Sequence, residues 1–460
     1  MTDPQPDGEG AGTETPAPPT AEPASLDPTA MDHVAVLRSK PYLSALVLAA
    51  LLGIPISVLA YGFLALTSKL QKAIFEDLPG ELFTGTTPAW WPLPWLVLCG
   101  VLTAAVIRYL PGNGGHSPAL GFHMGGGPPV DKELPGVVLA ALATLSLGAV
   151  LGPEAPLIAL GGGFAALTVH LVNREAPPMA LTIMAAAGSF AAVSTLLGSP
   201  ILGAFLIMEA AGIGGTTLSL VALPGLLSSG IGALVFTGLD DWTGLGTFSL
   251  ALPTVPPAVS PTVATMVWAL VLWAAAVPIG WAIRWVALSL RPIVHRSRVL
   301  VTAGLGLLVG LIAMAYQLIS DHSFTQVLFS GQDQLPELVA HASDYSVATL
   351  LVLALCKSTA YALSLSAFRG GPVFPAIMVG GALGIAASGL PGMDPASSIA
   401  VGIGAMTTTM LGLPLTATLL AVVLLGADGI AVTPAVITAV VAAYVVSGLL
   451  PEPRGALAGS

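Results

Sequence analysis

The sequence predicts an all-α integral membrane protein made of two repeated halves, with many of its helices broken or tilted. Three observations carry that prediction: charge depletion, long uncharged runs, and an internal repeat. The 460 residues include only 14 Lys+Arg and 24 Asp+Glu, so 8% are charged while 55% are hydrophobic. Soluble domains carry roughly 25% charge. Nine of the charges lie in the first forty residues, which leaves the rest still poorer. Mean hydropathy is +0.89. Such a chain cannot clothe a water-facing surface, which excludes a soluble globular protein, a disordered chain and a nucleic-acid binder. The net charge of −10 adds little, because half of it sits in the N-terminal tail.

Residues 1–40 are rich in Pro, Gly, Glu and Thr, with almost no large apolar side chain before about residue 30. That composition predicts a disordered tail, and without a basic start and an apolar run it is no signal peptide. Uncharged runs then follow at 43–68, 90–107, 134–153, 155–173, 176–208, 210–239, 242–283, 299–320, 345–356, 395–427 and 429–451. A run of about 20 apolar residues crosses a bilayer as a helix. Ten or more helices are expected, some too short to cross. The runs do not alternate polar and apolar, which argues against a β-barrel. Pro153, Pro156, Pro200, Pro372, Pro375 and Pro414 interrupt several runs, and broken backbone at membrane depth needs protein or a polar cavity around it. The expected organisation is a first transmembrane repeat over 41–240, a linker over 241–260, a second repeat over 261–451 and a short tail over 452–460. Arg38 and Lys40, and the cluster Arg291, Arg296 and Arg298, predict a cytoplasmic N-terminus by the positive-inside rule. Cys99 and Cys356 both sit in apolar stretches and form neither a disulfide framework nor a metal spacing.

The repeat is read from two matched blocks. Pro156-Leu157-Ile158-Ala159-Leu160-Gly161-Gly162 matches Pro375-Ala376-Ile377-Met378-Val379-Gly380-Gly381, 219 residues later. Ser194-Thr195-Leu196-Leu197-Gly198-Ser199-Pro200-Ile201 matches Thr408-Thr409-Met410-Leu411-Gly412-Leu413-Pro414-Leu415, 214 residues later and in the same order. Each block is a Gly/Pro break followed by an apolar helix. Paired broken helices in two halves point to a transport site near the midplane. Helix N-termini there offer free N–H groups and the positive dipole end, which attract anions. Carboxylates are scarce near the breaks, and a metal cation would want a cage of oxygens.

Glu154, in Gly152-Pro153-Glu154-Ala155-Pro156, lies between two uncharged runs. A carboxylate at that depth is costly. It reads as a tethered anion that fills the site when ionised and leaves it when protonated. The bland alternative is an interfacial acid that complements a helix dipole. Its repeat equivalent is Val373, so the acid belongs to one half only. Glu209 is a candidate second proton site or the mark of a span end. Lys357 and Arg369 flank the second break, where they either raise the anion potential or snorkel to the interface. Asp428 reads as a loop acid. His116 and His123 have no third ligand at a useful spacing, so no metal and no cofactor is expected. The glycines around His116, from Gly112 to Ser117, suggest backbone close to a ligand, or an ordinary loop.

These motifs, taken together, resemble those of the chloride channel (CLC) family of anion channels and proton-coupled antiporters, over about residues 42–451. Gly152-Pro153-Glu154-Ala155-Pro156 resembles the family's G-[KR]-E-G-P loop with its gating glutamate. Gly370-Gly371-Pro372-Val373-Phe374-Pro375 is similar to G-G-x-F-x-P, Gly114-Gly115-His116-Ser117-Pro118 to G-S-G-x-P, and Ser199-Pro200-Ile201-Leu202-Gly203 to A-P-L-x-G. The variants resemble most a divergent bacterial branch of ion-transport proteins. The resemblance implies an inverted repeat, a homodimer with one pore per subunit, and an anion held by backbone N–H groups and hydroxyls. On these loops that implicates Gly115, Ser117, Gly152, Ala155, Gly371, Val373 and Phe374. It also implies a bacterial plasma membrane, with lipid, small anions and protons as partners. The chain departs from the pattern at several points. Gly115 stands at the pore serine and Ala210 at the inner proton-transfer glutamate. Phe374 is shifted by one, Pro153 and Pro372 lack an N–H, and the terminal pore tyrosine has no match.

The expected function is transport of small inorganic anions, chloride foremost, by a channel or an anion/proton antiporter gated at Glu154. Fluoride export is the alternative, because the shifted G-G-x-V-x-P form occurs in the family's fluoride branch. An intramembrane hydrolase is the distant alternative. The chain has no GxSxG, HExxH or GxGD, and an enzyme is not expected.

Overall fold

A computed structural model describes residues 35–122, 132–212, 214–252 and 255–451 of the chain. Of the expected disordered tail over 1–40, residues 1–34 lie outside the described residues, as do the C-terminal tail and His123, whereas 35–40 carry helix and turn. Residues 1–43 form one unit and 44–460 another. In the first, the described residues carry a helical turn and the start of a long helix, where the Ser39 hydroxyl accepts from the Tyr42 amide at 3.3 Å. Everything below concerns the second.

The helices are α1 (Lys40–Lys72), α2 (Pro92–Tyr109), α3 (Leu134–Ser146), α4 (Glu154–Val172), α5 (Pro178–Ala192), α6 (Pro200–Ala210), α7 (Gly215–Thr243), α8 (Val263–Arg296), α9 (Arg298–Ser320), α10 (Gln334–Ala340), α11 (Val347–Ala367), α12 (Val373–Ala387), α13 (Pro395–Leu411), α14 (Pro414–Leu424) and α15 (Gly429–Leu449). Among the described residues, 8 helices are long and apolar enough to cross a membrane. Helices α3, α5, α6, α12 and α14 are apolar but shorter. The expected mixture of full and partial spans is therefore present. Local sequence sets the ends. Helices α2, α5, α6, α13 and α14 open on proline, whose missing N–H costs nothing in a first turn. Ser199, Thr262, Ser346 and Asp394 cap the starts of α6, α8, α11 and α13 through side-chain oxygens. The arginine cluster falls at a helix junction: Arg291 and Arg296 end α8, and Arg298 begins α9.

The repeat appears as matched geometry. Gly161 of α4 and Gly188 of α5 cross so closely that a Cβ on either would strike the other's carbonyl. Gly380 of α12 and Gly402 of α13 cross in the same way, at offsets of 219 and 214. Gly198 and Gly412, also 214 apart, both hold positive φ (+85° and +69°). Each turns the chain into a proline-led helix of 11 residues, α6 and α14. Side-chain-free crossings let helix backbones approach in lipid, where no hydrophobic force brings them together.

Candidate functional site

Two loops, one from each half, meet ahead of α4 and α12. The Gly152 amide donates to the Gly371 carbonyl at 2.8 Å, and the Gly371 amide returns a bond to Gly152 at 2.6 Å. Helix α11 pins both loops. The Ser364 hydroxyl accepts from the Val150 amide at 3.1 Å, and the Tyr361 hydroxyl donates to the Pro372 carbonyl at 2.7 Å. The Arg369 amide donates to the Thr144 hydroxyl at 3.3 Å, which ties the second loop to α3.

Glu154 is the first residue of α4 and is fully buried. Its carboxylate does not cap its own helix. Oε1 accepts from the Val373 amide at 2.5 Å, at the start of α12 in the other half. The amides of Glu154 and Phe374 also face the carboxylate. Oε2 is buried and, among the described residues, has no hydrogen-bond partner. Glycine is needed on both sides for space. A Cβ at Gly152 would meet Oε2 and the Phe374 ring, and one at Gly371 would meet the carboxylate directly.

The other residues singled out from the sequence divide into groups. Val373 and Phe374 supply α12 first-turn amides, and Ala155 is the second residue of α4. Gly152, Gly371 and Gly115 have engaged amides instead, the last donating to the Gly112 carbonyl at 2.8 Å. Gly115 and Ser117 line a cavity of about 470 Å³ with His116, Arg291, His295, Arg298, Ser366 and Arg369. A second cavity of about 490 Å³ is bordered by Leu151 and Pro153, beside Glu154, and by Gln71, Asp240, Gln332 and Asp333. Burial, and then the neighbouring Glu76, pushes the Asp333 carboxyl above its ordinary value. One mouth is therefore basic and contacts the second loop's approach, while the other carries acids and contacts the first loop.

Lys357 corrects an expectation: it neither lines the basic cavity nor snorkels. It is buried in α11, and its Nζ donates to the carbonyls of Gln326, Leu328 and Phe329 at 3.2, 2.7 and 3.1 Å. Arg369 does line the basic cavity, anchored by the Asn113 and Phe368 carbonyls. Glu209, in the last turn of α6, accepts from the Leu415 and Thr416 amides at 3.0 and 2.7 Å and from the Thr416 hydroxyl at 2.6 Å. It caps α14. Asp428 ends a short turn before α15. No group of His, Cys, Asp and Glu suited to a metal occurs among the described residues. The sequence reading missed Tyr361 and Ser364, ordinary polar residues in an apolar helix.

Comparison with known proteins gives the following likenesses. A family described as "Voltage gated chloride channel" matches residues 121–448. A protein of Escherichia coli (strain K12 / DH10B), described as "Putative ion-transport protein YfeO", is 29% identical over 342 residues, which cover 73% of this chain and 76% of that protein. The protein of the same description from Escherichia fergusonii matches equally well. Among solved structures, a slow cyanobacterial Cl⁻/H⁺ antiporter superposes with a TM-score of 0.72 at 19% identity, covering 90% of this chain and 96% of its own. A CLC-type fluoride/proton antiporter superposes with a TM-score of 0.70 at 18% identity, covering 89% and 96%. The fold is thus the CLC-type inverted repeat.

Proposed function

Because the chain belongs to the voltage-gated chloride channel family, we propose that it carries small inorganic anions, chloride foremost, across the membrane through one pore per subunit, gated by protonation of Glu154. Family membership also sets aside the hydrolase alternative, since these proteins are channels and transporters and not enzymes. The observation that carries the proposal is the bond from the Val373 amide to the Glu154 carboxylate. A carboxylate held at the N-terminus of another helix stands where a free anion would bind. Protonation removes its charge and with it the competition.

In this reading the amides of Ala155, Val373 and Phe374 are the anion donors, because those of Gly115, Gly152 and Gly371 are already engaged. Gly115 and Ser117 border the route on the basic side. Cations there raise the local anion concentration. Glu209, the candidate second proton site, would exchange its proton through the cap on α14. The repeats run over 41–240 and 261–451, joined by 241–260. Runs 191–234 and 400–441 would form a two-fold dimer interface, a reading supported by the exposed Ile201, Leu415 and Ile430. The integral membrane protein would lie in a bacterial plasma membrane with its N-terminus cytoplasmic.

Fluoride export is the second reading. Val373 stands where chloride members carry phenylalanine, and the fluoride/proton antiporter shares the fold. Efflux of chloride, fluoride and nitrate from reconstituted liposomes tests both. Chloride efflux above that of empty liposomes supports the first reading, fluoride efflux alone supports the second, and no anion efflux refutes the function.

A further inference from the structure

The basic cavity is larger and more highly charged than passage of a single halide requires. Arg291 and His295 project from the last turns of α8, Arg298 from the start of α9, and Arg369 from the approach to α12. The His295 ring lies 3.0 Å from Arg298, Nδ1 to Nη2. Among the described residues the Arg369 guanidinium is anchored by neutral acceptors, the Asn113 and Phe368 carbonyls. No Asp or Glu occurs among the described residues that line the cavity. Three guanidinium groups thus converge without a carboxylate among their neighbours there. The volume of about 470 Å³ falls in the range of small-molecule sites, about 300–1,000 Å³.

We propose that this cavity is a binding site for a multivalent phosphate group, separate from the monovalent site at Glu154. Guanidinium groups present planar forks of donors that match phosphate oxygens, two bonds at a time. A like-charged cleft with low-dielectric walls attracts a dianion more strongly than a monoanion. Half-buried Arg291 and Arg298 line the cavity, one Arg298 nitrogen lying against His295, while the bonds of Arg369 fix its position. A bound phosphate group would cover the mouth that Gly115 and Ser117 border. That blocking consequence rests on the pore proposed above. The binding itself does not, so it is measured without flux.

Pyrophosphate is the probe. It is titrated calorimetrically into full-length protein in zwitterionic nanodiscs, with ionic strength held constant by chloride. Saturable binding is expected, weakened at least about tenfold in the double variant Arg291→Gln/Arg298→Gln, since charge-assisted bonds are lost with each guanidinium. Exposed Arg174→Gln should change nothing. If the double variant fails to fold, Arg291→Lys takes its place: it keeps the charge and loses the fork, and should still weaken binding. Pyrophosphate binding no tighter than chloride, or variants that bind like wild type, would overturn the proposal. Repeating the titration with phosphatidic acid, whose phosphomonoester can carry two charges, in the nanodisc separates two supporting outcomes. Competition identifies a lipid headgroup as the source of the phosphate, and its absence identifies a soluble one.

Discussion

The Val373 amide holds the Glu154 carboxylate from the start of a helix 219 residues further along the chain. Neither half contains both partners, so the central acid and its donor meet only when the two repeats come together.

Glu154 should set the pH dependence of flux. As a carboxylate it occupies the α12 N-terminus; once protonated it gives up that claim. Anion efflux from liposomes should therefore rise as external pH falls, and Glu154→Gln should be fast and nearly flat with pH. A variant that keeps the wild-type pH profile would reduce Glu154 to a helix-capping acid. A pH indicator in the same liposomes reports coupling. If, as the family resemblance implies, Ala210 stands at the inner acid position, proton movement should be weak unless Glu209 serves, and Glu154→Gln should abolish what remains.

Gly371→Ala should mimic loss of the gate. The added methyl overlaps the Glu154 carboxylate, and relief means expelling that side chain. Overpacking of this kind costs about 1–3 kcal/mol. The clash is mutual, so Gly371→Ala on a Glu154→Ala background should cost clearly less than alone. Thermal unfolding of the four proteins of the cycle reads this directly, and strict additivity would show that the loop yields instead.

Removing the Lys357 ammonium should be the most destabilising of the polar substitutions in α11. Lys357→Met leaves the carbonyls of Gln326, Leu328 and Phe329 without their shared donor, at a cost of about 3 kcal/mol or more. Tyr361→Phe, which strips one bond from Pro372, should cost about 1 kcal/mol. Urea or thermal unfolding in detergent should rank them in that order, and a Lys357→Met protein as stable as wild type would refute the anchoring role.

The two cavities should open to opposite sides. On a background lacking Cys356, Ser117→Cys and Ser249→Cys place thiols in the basic and acidic mouths. A membrane-impermeant thiol reagent applied outside intact cells should reach Ser249→Cys and spare Ser117→Cys. Equal labelling of both would contradict the two-mouth arrangement.

Much of this was legible in the sequence because hydropathy and repetition are strong signals in lipid. The offsets of 219 and 214 predicted both pairs of broken helices, and Gly198 and Gly412 carry the same turn. Glu154 stood out because an acid between two uncharged runs demands a reason. Its partner did not, since an amide leaves no trace in residue identity. Likewise nothing in the residue names distinguishes the engaged amides of Gly152 and Gly371 from the donors at Val373 and Phe374. Lys357 was misread for a related reason. A cation in an apolar run suggests an ion path or an interface, whereas three carbonyls from a distant loop surround this one. Glu209, read as a second proton site or a span end, lies in the last turn of α6, and the helix it caps comes from the other repeat.

The pairing of Gly152 with Gly371 also fixes an order of events during synthesis. When Glu154 leaves the ribosome, the α12 donor does not yet exist. At about 5–20 residues per second, the 219 residues to Val373 take roughly 10–45 s. For that interval the first repeat sits in the translocation machinery or the bilayer with an acid that lacks its Val373 donor and a loop without its mate. A stalled or truncated chain would therefore expose that acid, which gives membrane quality control a chemical mark of an unfinished protein.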